Sequence, residues 1–337
     1  MKPIKYSPSS PGSQCSPYAL IFLTLLTASA AFAQPQPQHY PARPIRLVVP
    51  FAPGGNIDST ARAIAPGLTE LLGQQIVIDN RGGAGGLIGT EIVAKAAPDG
   101  YTLVVGSSGV LTVAPSLYSK MPYDPLKDFT SLGLLSYVPI VLVVTPNLPA
   151  KSLKDFIALA KQRAGKMIMA SAGNGTTNQL AGELFQMEAG VKFVHVPYKG
   201  SGPALVDVIG GQVDMLFDQL SASANYIKGG RLRGLALAAD KRNAAVPDVP
   251  TMAESGVRNC EAGTFTALTG PAGLPPTIVT RLNAALNKTL AMSSTRDRFA
   301  AVGADVLGGS TAENDALVKT ELAKWMKVAK AANIKLD

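Results

Sequence analysis

Apolar and polar positions follow two rhythms along this chain. Short apolar runs at Ile45–Val49, Ile76–Ile78, Thr102–Val105, Ser131–Leu135, Ile140–Thr145 and Met167–Ser171 have the length and composition of strands. Between them lie Ala-rich or amphipathic stretches of helical period, among them Leu153, Phe156, Ile157 and Ala160, and the segment Thr177–Met187. The alternation predicts an α/β chain with largely parallel sheets. Ser152 with Asp155, and Ser310 with Glu313, have the spacing of a capping box, in which each residue bonds the other's backbone N–H. The second box opens a long C-terminal helix through Val318, Leu322, Trp325 and Ala329. Pro276 fits a first helical position ahead of Ile278, Leu282, Ala285 and Leu286. Ile140–Thr145 and Thr264–Thr269 read as strands that leave the first half of the chain and return to it. One domain is then 41–139 plus 264–337, and the other 140–263.

Twice an apolar strand runs into a glycine-rich turn that opens on a helix. Ile45–Val49 leads through Pro53-Gly54-Gly55-Asn56 to a helix starting near Asp58, and Met167–Ser171 leads through Gly173-Asn174-Gly175-Thr176 to a helix from Thr177. Such a turn aims free N–H groups and the positive end of a helix dipole at one point, an anion site without charged side chains. Two of them, one per half, suggest a clamp around a small anion. Asp58 fits an N-cap better than a ligand contact. The glycines at 83, 86 and 89 lack the G-x-G-x-x-G spacing of a dinucleotide site, which leaves the Gly82–Gly89 run to packing and turn geometry.

Residues 1–33 read as a signal peptide, with Lys2 and Lys5, an apolar run from Ala19 to Ala28, and a small-x-small site at Ala31-Phe32-Ala33. Cys15 precedes the apolar run, which argues against a lipid anchor. Residues 34–40 (QPQPQHY) read as a flexible tether. The exported chain keeps Cys260 alone, so it has no internal disulfide. Losing Lys2 and Lys5 lowers the formal charge from +8 to +6, a modest excess that helps attract anions. Its basic residues are scattered, with no nucleic-acid module among them. No nucleophile elbow, H-E-x-x-H, paired C-x-x-C or P-loop occurs, which argues against an enzyme, a metal site or a nucleotide cofactor. Of two histidines, His39 falls in the tether and His195 in a strand-like run, as a structural residue. Tyr198-Lys199-Gly200 reads as a turn at the cleft mouth. For Asp218 three roles stay open: balancing a ligand cation, hydrogen-bonding the cleft floor, or purely structural.

Several blocks together resemble the Bug-type receptors of tripartite tricarboxylate transporters. They are FAPGGNIDSTAR (Phe51–Arg62), IVIDNRGGAGGLIGTEIVAKAAPDGYTL (Ile76–Leu103), YDPLKDF (Tyr123–Phe129), VPYKGSGPAL (Val196–Leu205), GGQVDMLFD (Gly210–Asp218) and PDVPTMAESG (Pro247–Gly256). The blocks stand in the family's order across nearly the whole exported chain. The resemblance implies a type II periplasmic-binding-protein fold: two Rossmann-like domains, a two-strand hinge and a carboxylate in the cleft, held by amides, hydroxyls and water. Transferred by position, it marks Gly54, Gly55 and Asn56 on one lip, with Ser107, Ser108 and Gly109 near it. Ala172, Gly173, Asn174, Gly175, Thr176 and Thr177 form the other lip, and Asp218 ends a strand beside them. Two departures stand out. Gln179 replaces a histidine common in the family, and Phe265 lies where many members have a tryptophan. The implied function is a monomeric periplasmic receptor, without cofactor or metal, that delivers a small carboxylate to membrane transporter subunits. A receptor that signals to a sensor kinase and a cleft enzyme acting on a carboxylate are the competing readings.

Overall fold

The computed structural model describes residues 40–332 and a few isolated positions nearer the two ends. The signal-peptide reading of 1–33, Cys15 and tether residues 34–39 fall almost wholly outside the described residues. Tyr40, the last residue of the expected tether, stacks edge-on against Tyr101 and donates its hydroxyl to the Gly100 carbonyl.

The first part of the chain runs β1 (Ile45–Val49), α1 (Asn56–Leu72), β2 (Ile76–Asn80), α2 (Leu87–Ala94), β3 (Thr102–Ser107) and, after a wide helical turn at Gly109–Val113, α3 (Ala114–Leu117). A 16-residue strand, β4 (Phe129–Val144), follows. Then come α4 (Leu153–Gln162), β5 (Ile168–Ser171), α5 (Thr177–Ala189), β6 (Val194–Pro197), α6 (Ser201–Ile209), β7 (Met215–Gln219), α7 (Leu220–Lys228) and β8 (Arg233–Ala238). The chain ends with β9 (Gly263–Pro271), α8 (Pro276–Ala291), α9 (Ser293–Ala301), β10 (Asp305–Val306) and α10 (Thr311–Ala332).

These strands make two sheets that share β4. Its first part, residues 129–139, pairs with β9 in a sheet ordered β2-β1-β3-β9-β4, with β10 added on β4. Residues 140–144 pair with β7 and β8 in a second sheet, which continues to β5 and β6. The sequence pattern predicts two strands here, Ser131–Leu135 and Ile140–Thr145, yet the strand is continuous. Proline has no N–H to donate, and Pro139 sits where pairing passes from one sheet to the other. The next residue resumes the ladder, Ile140 N–H donating to the Ala262 carbonyl. Ala262 N–H in turn donates to Ala238 of β8, so the chain entering β9 is also tied to the second sheet.

The expectation of largely parallel sheets needs correction. The pairs β1–β2, β1–β3, β5–β6 and β5–β7 are parallel, whereas every pairing of β4 and β9 is antiparallel. The parallel strands belong to βα units; the crossing strands run out and back, so they oppose their neighbours.

Helices cover the sheets by their apolar faces. In α1, Ile57, Ala61, Ile64, Leu68 and Leu72 recur at helical spacing and are all buried. Under the second sheet Phe156, Phe185, Phe193 and Phe217 form one aromatic cluster. Both capping boxes form: Asp155 N–H donates to Ser152 Oγ and Glu313 N–H to Ser310 Oγ, with each carboxylate returning to its partner's N–H. Cys260 is a buried free thiol.

Candidate functional site

Loops from the two sheets meet over a small cavity of about 20 Å³. From the first sheet it is lined by Phe51, Gly55, Asn56, Ile57, Ser107 and Gly109. From the second it is lined by Ala172, Thr176, Thr177, Asn178, Ser201 and Gln219. No lysine, arginine or histidine is among these residues. A negative group placed here has only dipoles to meet it.

Those dipoles come from helix starts. α1 begins behind Gly55, α5 behind Thr176 and α6 behind Gly200, and among the described residues none of the three helix starts is capped by the side chain of its N-cap residue; the Thr176 hydroxyl donates to the Gly173 carbonyl instead. The first-turn N–H groups of each helix have no intrahelical partner. Three helix N-termini, each the positive end of its dipole, thus border the cavity and favour an anion there without a cationic side chain. Asn56 adds a side-chain donor. It is buried, its Oδ1 accepts from Ser221 Oγ at 2.6 Å, and its Nδ2 has no partner among the described residues.

The expected lip residues separate into two groups. Gly55, Asn56, Ser107, Gly109, Ala172, Thr176 and Thr177 line the cavity; Gly54, Ser108, Gly173, Asn174, Gly175 and Asp218 do not. The N–H groups of several of the latter are already engaged. Gly54 donates to Asp58 Oδ2 (3.0 Å), Gly173 to Ser171 Oγ (3.1 Å) and Gly175 to Gln179 Oε1 (2.8 Å). Gln179, the departure from the family's histidine, thus secures the second turn. His195 does the same from behind, its Nε2 2.7 Å from Ser171 Oγ, and burial lowers its pKa. Gly173, at φ +133°, lies against Gly85 of the first glycine-rich run, where a side chain would separate the two loops.

Asp58 is not the N-cap expected from sequence. Gly55 holds that place, and Asp58, in the first turn, reaches back to Gly54 N–H while also holding Arg62 and Asn80. Burial acts to raise its pKa, but hydrogen bonds from Arg62, Gly54 and Asn80 outweigh it and hold the carboxyl below its usual range. Its role is structural, and it keeps Arg62 occupied.

Other hydrogen bonds join the sheets around the cavity. Ala52 N–H donates to Lys199 O (2.8 Å), and Ser108 Oγ lies 3.2 Å from Thr177 Oγ1. Together with Ser221–Asn56 they fasten first-sheet loops to second-sheet loops. The Tyr198–Gly200 turn is therefore part of this seam.

Asp218 lies behind the second wall, fully buried. Ser201 and Ser223 donate to it through their hydroxyls at 2.6 Å each, and Asn178 Nδ2 at 3.2 Å. Burial pushes its carboxyl up to about 6, against the pull of these bonds and of Gln219 N–H. Of the three roles left open from sequence, hydrogen bonding beneath the cleft floor is the one this geometry describes.

The model of the TctC family, the tripartite tricarboxylate transporter family receptor, matches residues 60–334. The chain belongs to this family. Solved structures agree in fold. The periplasmic binding protein BugD is 36% identical, with TM-score 0.85 over 88% of this chain and 99% of its own. Rpa4515 of R. palustris, solved with adipate, is 40% identical, with TM-score 0.84 over 88% and 99%. MatC (Rpa3494) from Rhodopseudomonas palustris, with bound malate, is 37% identical, with TM-score 0.82 over 86% and 99%. The TctC chain described here is accordingly a solute-binding receptor of the Bug type, not an enzyme, and its fold is that of periplasmic binding proteins.

Sequence reasoning misses Phe51, Ile57, Asn178, Ser201 and Gln219. Ser201 had a usable signal: Gly200-Ser201-Gly202 precedes an apolar helical run, the third turn of the same kind.

The raised pKa of Asp218 has a measurable consequence. Unfolded, this carboxyl titrates near 3.8; folded, near 6. Housing a neutral acid is fully favourable below about pH 4, and the contribution is lost as pH rises through 6. Urea unfolding of wild type and Asp218→Asn should show the wild type losing roughly 2 kcal/mol relative to the variant between pH 4 and 7. A difference that is flat, or that grows with pH, contradicts the assignment.

Proposed function

We propose that this receptor captures a small carboxylate in the cavity between the sheets and delivers it, in the periplasm and as a monomer, to membrane subunits of a tripartite tricarboxylate transporter. The observation that carries this reading is the convergence of three side-chain-uncapped helix starts and the unpartnered Asn56 Nδ2 on one cavity without cationic side chains. An anion there accepts from the first-turn amides near Asn56, Thr177 and Ser201. Ser107 and Thr177 supply hydroxyls at its margin. The ligands of Rpa4515 and MatC, adipate and malate, belong to the same chemical class.

Capture requires the cavity to open. We assign residues 41–139 plus 264–337 to one lobe and 140–263 to the other, with β4 and the segment entering β9 as the hinge. The interloop bonds Ala52–Lys199 and Ser221–Asn56 then belong to the closed state, and ligand contacts in both lobes favour closure.

Thermal denaturation with a carboxylate panel tests capture. At one hundred times its dissociation constant a bound acid should add about 2.7 kcal/mol to stability. Stabilisation by ATP or NADH, with none from any carboxylate, overturns the reading.

A substitution tests closure separately. Gly202 lies in the first turn of α6 with ordinary helical backbone, yet a Cβ there would overlap the Pro53 carbonyl oxygen on the opposing loop. Gly202→Ala should leave the helix at least as stable, since alanine favours helix over glycine by up to about 1 kcal/mol. Affinity for the ligand should fall tenfold or more in titration calorimetry. Wild-type affinity in the folded variant would show that closure does not depend on this approach.

A further inference from the structure

Resting on the carboxylate reading above, a finer demand follows from which groups donate and which accept around Asp218. An ionised carboxylate only accepts. Ser201 spends its single hydroxyl proton on Asp218 Oδ1, and among the described residues no donor reaches Ser201 Oγ. Ser201 lines the cavity, and its hydroxyl has only lone pairs left to offer a ligand.

Asn178 is oriented by the same carboxylate. Its Nδ2 faces the Phe217 carbonyl at 2.9 Å and Asp218 Oδ1 at 3.2 Å, neither of which can donate. Its Oδ1 must then face Gln219, where it accepts from Nε2 at 2.9 Å. The other Nε2 proton of Gln219 goes to Thr264 Oγ1 at 3.1 Å. With both protons used, Gln219 presents Oε1, whose nearest donor contacts in the protein are long, 3.3 Å from Asn178 Nδ2 and 3.4 Å from Ser201 Oγ.

We propose that the second-sheet wall, through Ser201 Oγ and Gln219 Oε1, selects carboxylates that carry a hydroxyl or amino donor over the unsubstituted acids. The helix starts and Asn56 take the carboxylate; the two acceptors take the donor. An unsubstituted acid leaves both acceptors shut away from water without a partner, a loss of tenfold or more in affinity. Asp218 is a positioning residue in this scheme. It touches no ligand and acts by fixing the protons of Ser201 and Asn178. No ionisable side chain bonds to it from α5, α6 or α7, whose contacts are Asn178, Ser201 and Ser223.

Titration calorimetry at pH 7.5 with matched pairs decides the matter: glycolate against acetate, lactate against propionate, and malate against succinate. In wild type, the hydroxy acid of the pair that binds should be at least tenfold tighter. Ser201→Ala should bring that ratio close to one. Asp218→Asn, whose amide can donate to Ser201 and free the hydroxyl proton, should also lower it. Damage to the fold would weaken both members of a pair alike, so the ratio separates positioning from a structural effect. If Asp218→Asn does not fold, Ser201→Ala decides alone. Pairs bound within twofold of each other by wild type, or a ratio that Ser201→Ala leaves unchanged, overturn the proposal while the carboxylate reading stands. Binding of none of these acids, or of any other carboxylate, removes both.

Discussion

Backbone N–H groups at the start of a helix must find an acceptor, and in this protein three sets of them face one cavity. A side-chain cap would satisfy them and abolish the positive potential. At α4 and α10, away from the cavity, serine and an acidic residue do just that. At α1, α5 and α6 the residue before the helix is Gly55, Thr176 and Gly200, and no side chain closes the gap. The cleft is therefore attractive to an anion for the same reason that those helices are incompletely satisfied. Glycine at the turns keeps that potential reachable, because it lets opposing loops approach backbone to backbone.

Charges close to the cavity are organised so as not to compete with this. Arg62 is held by Asp58, which also ties Gly54 N–H and Asn80. Asp218 would repel an anion if it lined the cavity, but it lies behind Ser201 and Asn178 and is surrounded by four donors. In the selectivity proposed above, its influence reaches the ligand through the direction of hydrogen bonds. A buried carboxylate is costly unless so paired, and the pairing gives the wall a fixed polarity.

Much of this is legible in the sequence alone. Apolar runs ending in Gly-rich turns located β1, β5, α1 and α5, and serine–acid spacing located two helix starts. Where the reading fell short, long-range geometry was the cause. Ser131–Leu135 and Ile140–Thr145 read as separate strands because local pattern cannot tell that the chain between them passes from one sheet to the other. Gly173 and Gly175 looked like anion donors, but their amides are taken by Ser171 and by Gln179. Gln219 and Asn178 reach the cavity only because β5 and β7 are neighbours, a pairing with no local trace in either segment. Ser201, by contrast, has a local trace, since Gly200-Ser201-Gly202 is a third glycine turn ahead of an apolar helical run.

The central claim is that first-turn amides, rather than cationic side chains, hold the ligand. Amide chemical shifts from isotope-labelled protein, followed as a binding carboxylate is titrated in, test it most directly. Hydrogen bonding to an anion should move the N–H signals of Asn56, Ile57, Thr177, Asn178, Ser201 and Gly202 furthest downfield, with the side-chain amide of Asn56 among them. Those signals standing still, while the largest changes fall on arginine or lysine side chains elsewhere, would contradict the account.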